Sequence, residues 1–198
     1  MNKYKSKYLF LAHHLNDDIE TSLMHIIRGS SLKGYMGIEE VVINNNNSYI
    51  LRPFLTVLKD DIIDYSIKSN IKYFEDESNK SFDYTRNRIR HRMIPLMFEE
   101  NPSFNEQFKE FKETLVNSYK IVCEKRNQII KDIVVNNEDN ITININKFNE
   151  LDMFMKTEVL FETLKQYKLS KSNIKELIKL IESSKPNITI NYKNINFC

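Results

Sequence analysis

The chain has 198 residues, is 41% hydrophobic and 28% charged, and carries a formal charge of +2 with only three glycines. Those proportions fit a folded chain of one ordinary domain or two small ones. No run of about 18 apolar residues is present, so no membrane span is expected. The glycines all fall between positions 29 and 37, which excludes a G-x-G-x-x-G dinucleotide fingerprint. A Walker A loop fails narrowly, because Tyr35 and Met36 follow Gly34 where Lys and Ser/Thr are required.

Residues 7–12 predict a short buried strand. That apolar run is too short for the core of a signal peptide. Cys123 and Cys198 have no metal or redox spacing, so reduced thiols in a cytoplasmic protein are expected. A turn at His13–Asn16 leads into a helix over 17–28, with Ile19, Leu23, Ile26 and Ile27 at helical spacing. Gly29 stops it, and a flexible loop runs through Gly37. Residues 40–52 predict a hairpin around the asparagine run, ended by Pro53. Lys59 to Asn70 predicts an amphipathic helix, and 73–85 a polar loop. Residues 86–99 predict a helix with an apolar stripe of Ile89, Met93, Leu96 and Met97.

Asn101-Pro102 punctuates the chain, and the domain boundary is expected near residue 100. Beyond it, 103–135 predicts one long helix with Phe104, Phe108, Phe111, Leu115 and Tyr119 at steps of three and four. A strand at Ile141–Ile145, helices at Leu151–Tyr167 and Lys171–Glu182, and a hairpin of Ile188–Tyr192 with Ile195–Phe197 follow. Only one convincing core strand is present. Either the fold is mostly helical, or the other strands of an α/β sheet lie before residue 1; the apolar run up to Ala12 favours the second.

Three clusters carry the chemistry. In His13-His14-Leu15-Asn16-Asp17-Asp18-Ile19-Glu20-Thr21, Asp17 and Glu20 share one face of the first helical turn. The plainer reading is that they complement the helix dipole. The sharper one notes that they follow a strand, at the sheet edge where α/β folds bind ligands. There they could hold Mg²⁺ or the ammonium of an amine substrate, with His14 ordering a carboxylate or phosphate. The second cluster, Arg28 to Gly37, is either a helix terminus or a mobile loop carrying Arg28 and Lys33 to a polyphosphate. In the third, Arg86, Arg88, Arg90 and Arg92 supply four of the seven arginines, in a chain whose general cation is lysine. A solvated face and anion recognition weigh about evenly there.

Taken together, the clusters resemble one family, the tRNA(Ile)-lysidine synthetases, ATP-pyrophosphatases of the PP-loop class. The matching pieces are Ala12 to Thr21, Arg28 to Gly34, Leu51-Arg52-Pro53-Phe54-Leu55, Glu75-Asp76-Glu77-Ser78-Asn79, and Arg86-Asn87-Arg88-Ile89-Arg90-His91 with Ile94-Pro95. The match is dense over residues 8–102. The resemblance implies an α/β fold. Residues 1–100 would be the C-terminal part of a PP-loop (adenine nucleotide alpha hydrolase-like) domain with few strands. Residues 101–198 would be a mostly helical small domain. It further implies ATP-dependent activation of the wobble cytidine of a tRNA(Ile) with a CAU anticodon, then displacement of AMP by the amine of free L-lysine. ATP and Mg²⁺ are the implied cofactors, and a homodimer is compatible with it. On the motif match, Asp17 and Glu20 would lie near lysine or metal. Arg28 and Lys33 would serve a loop that approaches ATP and the cytidine. Arg86, Arg88 and Arg90, with His14, would bind substrate phosphates or tRNA.

One departure stands out. The family's Ser-Gly-Gly-x-Asp-Ser loop should precede His14, yet no glycine occurs before Gly29. The expectation is a fragment of a longer enzyme, lacking the ATP loop and inactive alone, with a further cut near Cys198. The alternatives are a PP-loop tRNA thiolase, which the two distant cysteines do not favour, and a non-catalytic tRNA-binding module.

Overall fold

The structure, a computed structural model, describes residues 6–44, 46–74, 84–136, 141–183, 190–192 and 195–197. The chain divides into two compact units, residues 1–117 and residues 118–198. Among the described residues, no helix is long and apolar enough to cross a membrane.

In the first unit, β1 (Tyr8–Phe10), β2 (Val41–Ile43) and β3 (Tyr49–Leu51) form a sheet of order β1-β3-β2. The 40–52 hairpin forms as expected, with Val42 opposite Ile50 in antiparallel register. β1 runs parallel to β3, placing Leu9 opposite Ile50, and Tyr8 stacks on Tyr49 at 5.3 Å. The expected burial of β1 is corrected: Tyr8, Leu9 and Phe10 are all exposed. β1 pairs on one side only, so its apolar side chains meet no covering layer among the described residues.

The core of this unit lies instead between helices. Leu15 and Ile19 of α1 (Leu15–Arg28) pack with Ile89, Ile94 and Phe108. The expected stripe holds at Ile19 and Leu23 but not at Ile26 and Ile27, which stand exposed on the last turn. Gly29 closes α1 at φ 75°. The expected loop after it contains a helical turn, α2 (Leu32–Tyr35), because Ser31 caps it by accepting the Gly34 amide at 3.2 Å. The Lys59–Asn70 prediction appears as α3 (Lys59–Lys68).

The predicted 86–99 helix is interrupted. It comprises α4 (Thr85–Arg88), a π turn at Ile89–Met93, and α5 (Ile94–Glu100). Pro95 has no amide to give the His91 carbonyl, and the Ile94 amide reaches back five residues to Ile89. The extra residue turns Ile94 inward, 6% exposed, and leaves Met93 and Leu96 outside at 37% and 59%. The uninterrupted stripe is thus corrected by one residue of register. α6 (Phe104–Ile133) follows, one long helix as predicted.

In the second unit, β4 (Val134–Asn136) pairs with β5 (Ile141–Ile143). Next come α7 (Ile145–Asn149), α8 (Met153–Thr163), a 3₁₀ turn at Lys165–Tyr167 and α9 (Lys171–Ser183). β6 (Ile190–Tyr192) and β7 (Ile195–Phe197) form a hairpin. Phe148, Val159, Leu160, Ile174, Leu177 and Ile178 make the core. Buried Arg126 faces Glu158 at 3.8 Å and Glu162 at 3.4 Å. Lys156 pairs with Glu182 at 2.7 Å.

Candidate active site

The residues after β1 turn directly into α1, so the first helical turn sits at the C-terminal end of a parallel strand. His14 caps this helix. Its Nδ1 accepts the Asp17 amide at 3.4 Å, and the Asp17 carboxylate accepts the His14 amide at 3.1 Å. Burial holds the His14 pKa below its usual value, against the pull of the Asp17 and Glu20 carboxylates. A neutral ring is what this cap requires, since a protonated Nδ1 could not accept an amide.

Asp17 and Glu20, three apart, point from α1 toward α4 and the π turn. Arg86 donates from Nε to Glu20 Oε2 and from Nη2 to Asp17 Oδ1, both at 2.7 Å. Arg90 donates from Nε to Glu20 Oε1 at 2.5 Å and from Nη2 to Glu20 Oε2 at 2.9 Å, with Asp17 Oδ1 at 3.3 Å. Hydrogen bonding to Glu20 pushes the Arg90 pKa up. The Glu20 side chain is fully buried, which is tolerable only because both of its oxygens are held by cations. The four charges sum to zero. Beside them opens a cleft of about 370 Å³, lined by Leu11, Ala12, His13, Asp17, Arg86, Asn87 and Arg90.

The expected site residues therefore divide. Asp17, Arg86 and Arg90 line one cleft, while His14 is bonded to Asp17 and buried Glu20 to the two arginines. Arg88 is exposed and donates to Thr85 Oγ1 at 3.0 Å. Arg28 is exposed at the end of α1, and Lys33 pairs with Glu39 at 2.8 Å. Glu75 to Asn79 lie outside the described residues. The sequence reading passed over three features. Asp18, beside the two expected acids, is buried and bonded to Lys112. Asn87, between two arginines, is buried at the cleft. His13 turns a buried Nδ1 that has no hydrogen-bond partner among the described residues.

No group of three or more His, Cys, Asp and Glu side chains gathers as a ligand set among the described residues, and the Asp17 and Glu20 oxygens face guanidinium groups.

Known proteins resemble this chain in sequence. A family profile described as a PP-loop domain matches residues 1–97. The chain is 34% identical over 203 residues to the tRNA(Ile)-lysidine synthase of Bacillus cereus, covering 97% of this chain and 42% of that protein. It is 34% identical over 191 residues to the bifunctional protein TilS/HprT of Listeria innocua, covering 92% and 29%. It is 33% identical over 160 residues to the tRNA(Ile)-lysidine synthase of Geobacillus kaustophilus, covering 81% and 34%. The chain thus spans less than half the length of these relatives. With that profile over residues 1–97 and tRNA(Ile)-lysidine synthases among its relatives along nearly its whole length, the chain carries a PP-loop domain.

Proposed function

We propose that the chain works as part of a tRNA(Ile)-lysidine synthase in the cytoplasm, a carbon–nitrogen ligase that uses ATP to join L-lysine to the wobble cytidine of a CAU-anticodon tRNA(Ile). The observation that carries this reading is the convergence of two motif clusters, 69 residues apart, on one cleft at the end of a parallel strand. In this reading Asp17 and Glu20 receive the lysine ammonium, which takes the place of an arginine partner. Arg86 and Arg90, once released from one carboxylate, turn toward anionic substrate groups, and such preorganised cations supply much of the stabilisation of developing charge. Arg88, Arg28 and Lys33, all exposed, meet phosphates of ATP or tRNA. The reaction forms a bond from cytidine to the phosphorus of ATP with loss of pyrophosphate. The lysine ammonium loses a proton to solvent, the free amine attacks the activated base, and the bond from the base to the adenylate oxygen breaks as AMP leaves.

ATP itself would bind a Ser-Gly-Gly-x-Asp-Ser loop, which these 198 residues do not contain. Among the described residues no group of three or more side chains gathers as a ligand set for Mg²⁺, and no step is assigned to it. The test is lysidine formation from ATP, lysine and the tRNA, read by nucleoside mass spectrometry. It is run with the chain alone and with the chain extended at its N-terminus by a PP-loop segment from the Bacillus cereus relative. Lysidine from the extended protein, lost on Glu20→Gln, supports the reading. A folded extended protein that makes none refutes it. A second reading, a tRNA-binding module without catalysis, rests on the run of Arg86, Arg88, Arg90 and Arg92. Salt-sensitive tRNA binding, indifferent to ATP and lysine, would be its signature.

A further inference from the structure

The segment from Gly29 to Ile38 carries Lys33 and ends against α1. It is fastened there by a group of contacts apart from the cleft. The Ile38 amide donates to Asp18 Oδ1 at 2.6 Å, and Lys112 Nζ donates to the Ile38 carbonyl at 2.7 Å. Lys112 also bonds Asp18 Oδ2, so the ammonium and the carboxylate grip both sides of one peptide residue. Asp18 is 1% exposed and shares its surroundings with Ser22, whose buried hydroxyl has no partner among the described residues. Gly37 passes over this pair at φ +72°, and a Cβ there would run into the Asp18 carboxylate and the Ser22 hydroxyl. Further back, the His25 ring meets the Gly34 carbonyl at 2.5 Å and the Ser30 amide donates to the Tyr35 hydroxyl at 2.9 Å. Lys112 stands 94 residues from Asp18, on α6, and does not line the cleft.

We propose that Lys112 and Asp18 form a latch that sets the position of the Gly29–Ile38 segment, making Lys112 a positioning residue for Lys33. A buried carboxylate must keep its partners, so it holds the ammonium and the amide together. Through the Ile38 peptide, the latch fixes one end of the segment. Burial pushes the Asp18 carboxyl above the usual range, against the Ile38 amide and the Lys112 ammonium, so the latch relies on both partners. That Lys33 meets an anionic substrate rests on the function proposed above; the latch itself does not.

The test reads amide exchange at Ile38 by NMR in the 198-residue chain, with Ile19 inside α1 as the internal control. Lys112→Met should speed Ile38 exchange by about tenfold or more, the loss expected for hydrogen bonds to a charged group, and leave Ile19 unchanged. Lys112→Arg should restore most of the protection. Unchanged Ile38 exchange, or equal acceleration at Ile38 and Ile19, would overturn the latch. If Lys112→Met does not fold, Lys112→Gln gives the same decision, since it removes the charge and shortens the reach to Asp18 while keeping a polar head. A second arm measures affinity for the CAU tRNA in Lys33→Gln, Lys112→Met and the double variant. Losses that do not add mean that Lys112 acts through Lys33; additive losses overturn the positioning role. Absence of tRNA binding by the unaltered chain would count against the proposed function, while the exchange result would still decide the latch.

Discussion

Replacing Glu20 with glutamine tests the arrangement at the cleft most directly. The side chain is fully buried and takes three hydrogen bonds of 2.5–2.9 Å from Arg86 and Arg90. Glutamine keeps the shape but turns an NH₂ toward a guanidinium and removes the compensating charge. Breaking a buried ion pair by removing one partner costs about 3–5 kcal/mol. Here Asp17 still holds both arginines, and the Arg86 side chain is 39% exposed, so water recovers part of the loss. A cost of about 2–3 kcal/mol remains. The assay is urea unfolding followed through amide resonances of Ile19 and Ile89, since residues 118–198 form a separate compact unit. With a slope of about 2 kcal/mol per molar, the midpoint should fall by about 1 M. Combining Glu20→Gln with Arg90→Met should cost less than the sum of the two single changes, with a coupling of about 1–3 kcal/mol. A loss below about 0.5 kcal/mol, or strict additivity, would refute the idea that Glu20 is the buried anchor of both arginines.

Acid should weaken the α1 cap. The folded-state pKa of His14 lies below its unfolded value, so the unfolded chain takes up the proton first and stability falls as pH drops through the folded pKa. His14→Asn, which caps without titrating, should flatten unit-one stability between about pH 7 and 5 in pH-dependent unfolding, and a wild-type slope would count against it. Ile94→Ala should cost about 2–5 kcal/mol and Met93→Ala under about 1, measured by the same unfolding; the reverse order would place the π turn wrongly. In the second unit, Arg126→Met leaves Glu158 without its near cation, and burial already raises the Glu158 pKa. A raised carboxyl favours the folded state at low pH and loses that contribution as pH rises through the folded pKa. The variant should therefore lose about 3 kcal/mol at pH 7 and visibly less at pH 5 in thermal melts; equal losses at both would refute the assignment.

The elements most legible in the sequence were those whose signals are local. Val41–Ile43 and Tyr49–Leu51 bracket a turn-forming asparagine run, and both strands formed. Lys59–Lys68 and Phe104–Ile133 followed from apolar spacing within each segment. Features that depend on a distant partner were not legible. Nothing near Asp17 says that its oxygens belong to Arg86 and Arg90, and nothing near Asp18 names Lys112. The 29–37 segment read as mobile because its glycines are visible, whereas Ser31 acting as a cap and His25 reaching Gly34 are matters of geometry. β1 read as buried from its apolar side chains alone, yet burial depends on a layer covering the faces of a strand, and Tyr8, Leu9 and Phe10 stand exposed among the described residues.

The π turn also lets one stretch of chain serve two neighbours that do not lie in line. Up to Arg90, the spacing of four keeps Arg86 and Arg90 on the acids of α1. Beyond the turn, Ile94 and Phe98 join Ile89 against the apolar core. An α-helix advances about 100° per residue, so one surplus residue acts as a phase shifter between these two tasks. Losing a single residue within Ile89–Met93 would bring the halves back into step and oblige the segment to abandon either its arginines or its core. Chain length there is under tighter constraint than the chemical nature of exposed His91, Arg92 or Met93.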